Sequence, residues 1–130
     1  MLFRSSPSGV PTATDNVFIP PVANLPVLST NVTVQNLTID PGATLSANSF
    51  ALTANGNVDA TGIVLEPGTV VLSGSGTQVQ GYLPSVQVLG FYTVVNNMTV
   101  TVDLDVVGSG LLDLGTSSFV QVNEIGRAHV

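Results

Sequence analysis

From Met98 to Val106 the chain reads Met-Thr-Val-Thr-Val-Asp-Leu-Asp-Val, with every even position apolar and every odd position polar. In an extended strand successive side chains leave on opposite faces, so this run buries one face and wets the other. Shorter alternating runs, Val32-Thr33-Val34 and Phe50-Ala51-Leu52-Thr53-Ala54, are cut off by Gln35-Asn36 and by Asn55-Gly56. A strand or turn event about every 8–12 residues predicts an all-β chain of short strands, a sandwich, barrel or solenoid. Val and Thr dominate, and β-branched residues lose side-chain freedom in a helix while packing well on a pleated surface.

Between the short runs the parity of the alternation changes. Val32 and Val34 carry the apolar face before Gln35-Asn36, and Leu37 and Ile39 carry it afterwards. One inserted residue turns all later side chains over, so this shift marks a corner or bulge. Two turns echo each other, Ile39-Asp40-Pro41-Gly42 and Leu65-Glu66-Pro67-Gly68. Each sets Pro where a fixed φ starts a turn and Gly where a positive φ is accessible. Their spacing predicts coils of about 20–26 residues, hence four to five coils in the ordered part. A second echo, Asn36-Leu37-Thr38-Ile39 with Asn97-Met98-Thr99-Val100, is out of phase with the first.

Charge narrows the function classes. Only 8% of residues are charged, the net charge is −6, and Arg4 and Arg127 are the whole complement of Lys and Arg. Nucleic-acid binding needs clustered cations to neutralise phosphates, so no nucleic-acid partner is expected. The same balance opposes an anionic membrane surface, and no apolar run reaches the ~20 residues of a membrane-spanning helix. The absence of cysteine excludes disulfides and thiolate metal sites.

A choice remains between a parallel β-solenoid and an immunoglobulin-like β-sandwich. Sandwiches blunt their open edges with Lys and other charges, which are scarce here. Solenoids stack strand on strand and leave ladders of Thr, Asn, Ser and Gln outside, which fits this composition. The solenoid is therefore the expected architecture. Asp15-Asn16-Val17-Phe18-Ile19, Asn36 to Leu45 and Gly68-Thr69-Val70-Val71-Leu72-Ser73-Gly74 resemble the loosely repeated β-solenoid regions of large bacterial secreted and cell-surface proteins, such as adhesin and autotransporter passenger regions. That resemblance implies an exported structural or adhesive scaffold, continuing into further repeats of the same chain, with a glycan or host-surface ligand as its partner class.

Three segments are expected: a linker over 1–14, a solenoid over 15–123, and a distinct tail over 124–130. The tail, Glu124-Ile125-Gly126-Arg127-Ala128-His129-Val130, matches one reading frame of a widely used sequencing adapter. Read so, the natural chain continues beyond Asn123, the sequence is a fragment of environmental origin, and its single histidine, His129, is not native.

Candidate chemistry is sparse, and no catalytic, cofactor-binding or metal-ligating residue is expected. Asp103 and Asp105 fall on one strand face about 7 Å apart, a pairing that suits glycosidic chemistry or Ca²⁺. A polysaccharide-active β-helix is the alternative reading they support. With no Lys or Arg beside them in sequence to tune a pKa, and with Asp113 completing no calcium-loop motif, a solvated polar face is the simpler reading. Tyr82, Phe91 and Tyr92 offer flat rings for a sugar, as on a carbohydrate-binding module, or fillers for a coil corner. Asn31, Asn36 and Asn97 each begin an Asn-x-Thr triplet that fits the N-glycosylation pattern, a match expected by chance in a chain this rich in Asn and Thr, and are read as rungs of a polar ladder.

Overall fold

A computed structural model describes residues 14–21, 27–28, 30–65, 67–108, 110–113, 119–122 and 128–129. The expected 1–14 linker, apart from Thr14, lies outside these residues, as do Glu66, Leu114 and most of the 124–130 tail.

The described chain is all strand and turn. Its strands are β1 (Asn16–Ile19), β2 (Val32–Val34), β3 (Asn36–Ile39), β4 (Thr44–Ser46), β5 (Ala51–Ala54), β6 (Val58–Leu65) and β7 (Thr69–Leu72). They continue as β8 (Ser75–Leu83), β9 (Ser85–Val88), β10 (Phe91–Val100), β11 (Leu104–Val106), β12 (Leu111–Asp113), β13 (Phe119–Val122) and β14 (Ala128–His129). Every pairing between named strands is parallel. One sheet runs β1-β3-β6-β8-β10-β12, with β4 on β6 and β13 on β10, and the other runs β14-β11-β9-β7-β5-β2. The chain is thus a parallel β-solenoid of about five turns. The sandwich is excluded because its sheets are built from antiparallel neighbours.

Each full coil has three planes. β6 pairs with β3 through Leu37↔Val58 and with β4 through Leu45↔Val64, so its two ends lie against different strands of the coil before. The larger sheet therefore folds into a first plane and a second plane, and the β2-to-β14 sheet is the third. Partners on the third plane lie 20 residues apart at Val32↔Leu52, 18 at Leu52↔Val70 and 16 at Val70↔Val86. On the first plane the spacing is 20 at Val17↔Leu37 and 21 at Leu37↔Val58 and Val58↔Val79, so the earlier coils fall at the short end of the expected 20–26 residues and the later ones below it. Pro41-Gly42 turns the chain between β3 and β4, whereas Pro67-Gly68 turns it between β6 and β7. The two motifs occupy different corners, so their spacing overstates one coil.

The expected alternation supplies the core. Val32, Leu52, Val70, Val86 and Leu104 stack inward on the third plane, as do Val17, Leu37, Val58, Val79 and Val94 on the first, and all are buried. Outward on the third plane runs Thr33, Thr53, Val71, Gln87, Asp105. The parity change at Gln35 is the corner between β2 and β3, as expected. The long run Met98 to Val106 is not one strand. β10 ends at Val100, the chain bends at Thr101-Val102, and β11 begins at Leu104 on another plane. Alternation carries through because both strands face the same interior.

One corner, between the third and first planes, is lined by Gly56, Gly74, Gly90 and Gly110. A Cβ on Gly90 would stand 1.7 Å from the Gly74 carbonyl oxygen, and one on Gly110 2.2 Å from that of Val88. Only glycine lets these backbones approach so closely. Ala128–His129 pairs with β11 on the third plane through Leu104↔Ala128 and Asp105↔His129.

Candidate functional site

The corner between the first and second planes varies in width from coil to coil. Registers on the two sides of Gly81 make this explicit. Ala60 pairs with Gly81 and Ile63 with Tyr82, so Thr61 and Gly62 are extra on the coil before. On the coil after, Val79 pairs with Val94 and Gly81 with Met98, so Val95, Asn96 and Asn97 stand against Gln80 alone. Such inserted residues swell one strand outward and re-aim its side chains. The Gly81 coil takes the shortest path, at φ 106°, and a Cβ there would lie 2.0 Å from the Ala60 carbonyl oxygen.

A tight coil between two wider ones leaves a depression. It is an open groove of about 210 Å³ lined by Thr61, Gln80, Gly81, Tyr82, Asn96, Asn97 and Thr99. No charged residue lines it. Asn96 adopts the left-handed conformation at φ 60°, which asparagine tolerates better than most residues. Its Nδ2 donates to Gln80 Oε1 at 2.6 Å. Asp59 Oδ1 accepts from both the Thr61 amide and the Thr61 hydroxyl, which fixes the opposite wall. Tyr82 stands in an outward column with Ile63 and Thr99, and is 51% exposed.

The aromatic residues singled out in the sequence do not form one platform. Tyr92 is not a surface residue: it is fully buried and fills the glycine-lined corner. Its hydroxyl accepts from the Gly74 amide at 3.0 Å, with the Gly56 and Ala54 carbonyl oxygens at 2.7 and 2.9 Å to receive its proton. Alternation along β10 then turns Phe91 outward, on the first plane between Ser75 and Leu111. Tyr82 lies on the second plane.

Asp103 and Asp105 do not share one strand. Asp103 sits in the corner ahead of β11, where its carbonyl accepts from the Val86 amide at 2.8 Å, while Asp105 lies within β11 beside Gln87. Among the described residues no group of three or more His, Asp or Glu is arranged to hold a metal ion, and no helix is long and apolar enough to cross a membrane.

Asn36 is a ladder rung. Its Nδ2 donates to Asn16 Oδ1 at 2.8 Å, its own Oδ1 accepts from the Asn57 amide at 2.7 Å, and Asn57 Oδ1 accepts from the Gln78 amide at 2.9 Å. Asn31 Oδ1 likewise accepts from the Ala51 amide of the next coil at 2.9 Å. Sequence reasoning found Tyr82 but not Thr61, Gln80 or Asn96. The available signal was the interruption Val94-Val95-Asn96-Asn97 in an otherwise alternating run.

The chain matches no family model, no curated protein and no solved structure.

Proposed function

We propose that this chain is a structural or adhesive scaffold segment of a larger secreted or cell-surface protein, with no catalysis of its own. The observation that carries the reading is the parallel stack, in which each inner coil pairs strand on strand with the coil before it and the coil after it. Such a stack extends in one dimension by adding coils, which makes it suited to spanning distance and displaying surface. Uncharged hydroxyl and amide ladders along its outside support contact with polar surfaces rather than with nucleic acid.

The test pairs two measurements on one preparation. Beads coated with the chain are assayed for retention on polysaccharide-coated and cell-coated surfaces, and the soluble chain for release of reducing ends from neutral and acidic polysaccharides. Retention without release is expected. Release that disappears in an Asp103→Asn, Asp105→Asn variant would replace the scaffold reading with that of a polysaccharide-active β-helix.

A further inference from the structure

The groove at Gly81 has a chemistry more specific than the ladders around it. We propose that it binds one sugar residue of an uncharged polysaccharide chain, with the Tyr82 ring as the stacking surface and the Gln80 and Asn96 amides as the polar contacts. This goes beyond the scaffold reading by assigning a ligand class and a site to one part of the solenoid.

Three features select this occupant. The first is the juxtaposition of a half-exposed aromatic ring with amides and hydroxyls. A pyranose presents an apolar C–H face and an equatorial fringe of hydroxyls, so it needs a flat ring on one side and neutral donors and acceptors at its edge. The bond from Asn96 to Gln80 uses one N–H of the first amide and one lone pair of the second. Both amides keep further donor and acceptor capacity, and their mutual bond holds them in a fixed relation. Thr61 and Thr99 add hydroxyls.

The second feature is size and openness. At about 210 Å³ the groove is smaller than the ~300–1,000 Å³ of pockets that enclose a small-molecule ligand. An open groove of that size suits one unit of a chain that continues past it on either side.

Backbone pairing and charge supply the third. β8 is paired with β6 on one side and with β10 on the other, interrupted only at the bulges, so no continuous strand edge is offered for a peptide to extend. The lining offers no cation for phosphate or carboxylate, and the Asp59 carboxylate behind Thr61 adds negative charge. An acidic polymer is disfavoured for the same reason. The three-residue bulge is what builds the site: without Val95, Asn96 and Asn97 the corner would follow Gly81 closely and leave no wall.

The experiment is affinity electrophoresis of the full chain through gels containing β-glucan, xylan, mannan, galactan or starch, with polygalacturonate and alginate as acidic arms. Calorimetry with oligosaccharides of the retained polymer follows. Retardation by at least one neutral polymer and by neither acidic one is expected. Tyr82→Ala should weaken binding by about tenfold or more, as truncating a central aromatic contact does, whereas Tyr82→Phe should stay near the parent. Asn96→Gly, which keeps the left-handed backbone while removing the amide, should weaken binding several-fold with an unchanged circular dichroism spectrum. No retardation by any neutral polymer, equal retardation by acidic ones, or full binding by Tyr82→Ala would overturn the inference. Those outcomes leave the scaffold reading standing, since its own test also counts retention on cell-coated surfaces without reducing-end release, which does not depend on this site.

Discussion

The hydroxyl of Tyr92 accepts the Gly74 amide proton at 3.0 Å, from a corner one coil away. Reaching back also to the carbonyls of Ala54 and Gly56, it joins three successive coils at a point where glycine leaves the backbone no side chains with which to do so. The phenol is therefore both filler and polar partner inside the stack.

Tyr92→Phe keeps the ring and removes the hydroxyl. A buried amide then loses its acceptor and the Gly56 carbonyl loses the hydroxyl at 2.7 Å, while the Ala54 carbonyl keeps the Ser73 amide at 2.9 Å, so the loss should be roughly 1–3 kcal/mol, the desolvation cost of leaving a buried amide unmatched. Tyr92→Ala should cost more, about 3–5 kcal/mol, because a cavity is added. Urea denaturation midpoints at constant slope would measure both. A Phe variant as stable as the parent would show that the hydroxyl contributes only volume.

Glycines in this chain serve two purposes that substitution separates. Gly42 turns at φ 84° with nothing within 4 Å of a Cβ, so only its conformation resists replacement. Gly42→Ala should cost about 1–2 kcal/mol, with Gly42→Asn recovering most of it, since asparagine enters the left-handed region more readily. At Gly90 the obstacle is the Gly74 carbonyl oxygen, so Gly90→Ala and Gly90→Asn should both destabilise by about 1–3 kcal/mol or more. Thermal melts of the four variants are the check.

In the asparagine ladder, Asn36→Ala removes one donor and one acceptor and should cost roughly 0.5–1.5 kcal/mol per bond lost. Asn36→Asp retains the acceptor for the Asn57 amide and should fall between Ala and the parent. Chemical denaturation of the three proteins ranks them.

Excision of residues 32–51 removes one coil in register, because Val32 pairs with Leu52. Asn16 would then face Asn57, while Tyr92 and the Gly81 groove keep all the neighbours described above. The product should remain folded, melt at a lower temperature, and be shorter by about 5 Å along the stack, one strand spacing. Small-angle scattering gives the length, and the electrophoretic assay should show glycan binding retained. An unfolded product would mean that the coils are not interchangeable units.

Much of this molecule was legible as pattern. The alternation at Val32, Val34, Leu37 and Ile39 fixed which side chains point inward, and the parity change at Gln35 marked the corner, because strand geometry allows a side chain only two directions. Short runs and scarce charge were enough to favour stacking over an edge-blunted sandwich. Other features were beyond pattern. The echo of Pro41-Gly42 and Pro67-Gly68 looked like a coil repeat and joined different corners, since a turn motif records a local conformation and not its place in the circuit. Met98 to Val106 looked like one strand and bends at Thr101-Val102, since two planes facing one interior keep the same alternation. Phe91 and Tyr92, adjacent in sequence, ended outside and inside. The Gly81 groove depends on three neighbouring coils having corners of different width, a difference that arises only when residues one coil apart are laid side by side. Periodicity along the chain set the inside and the outside; stacking across it decided which residues meet.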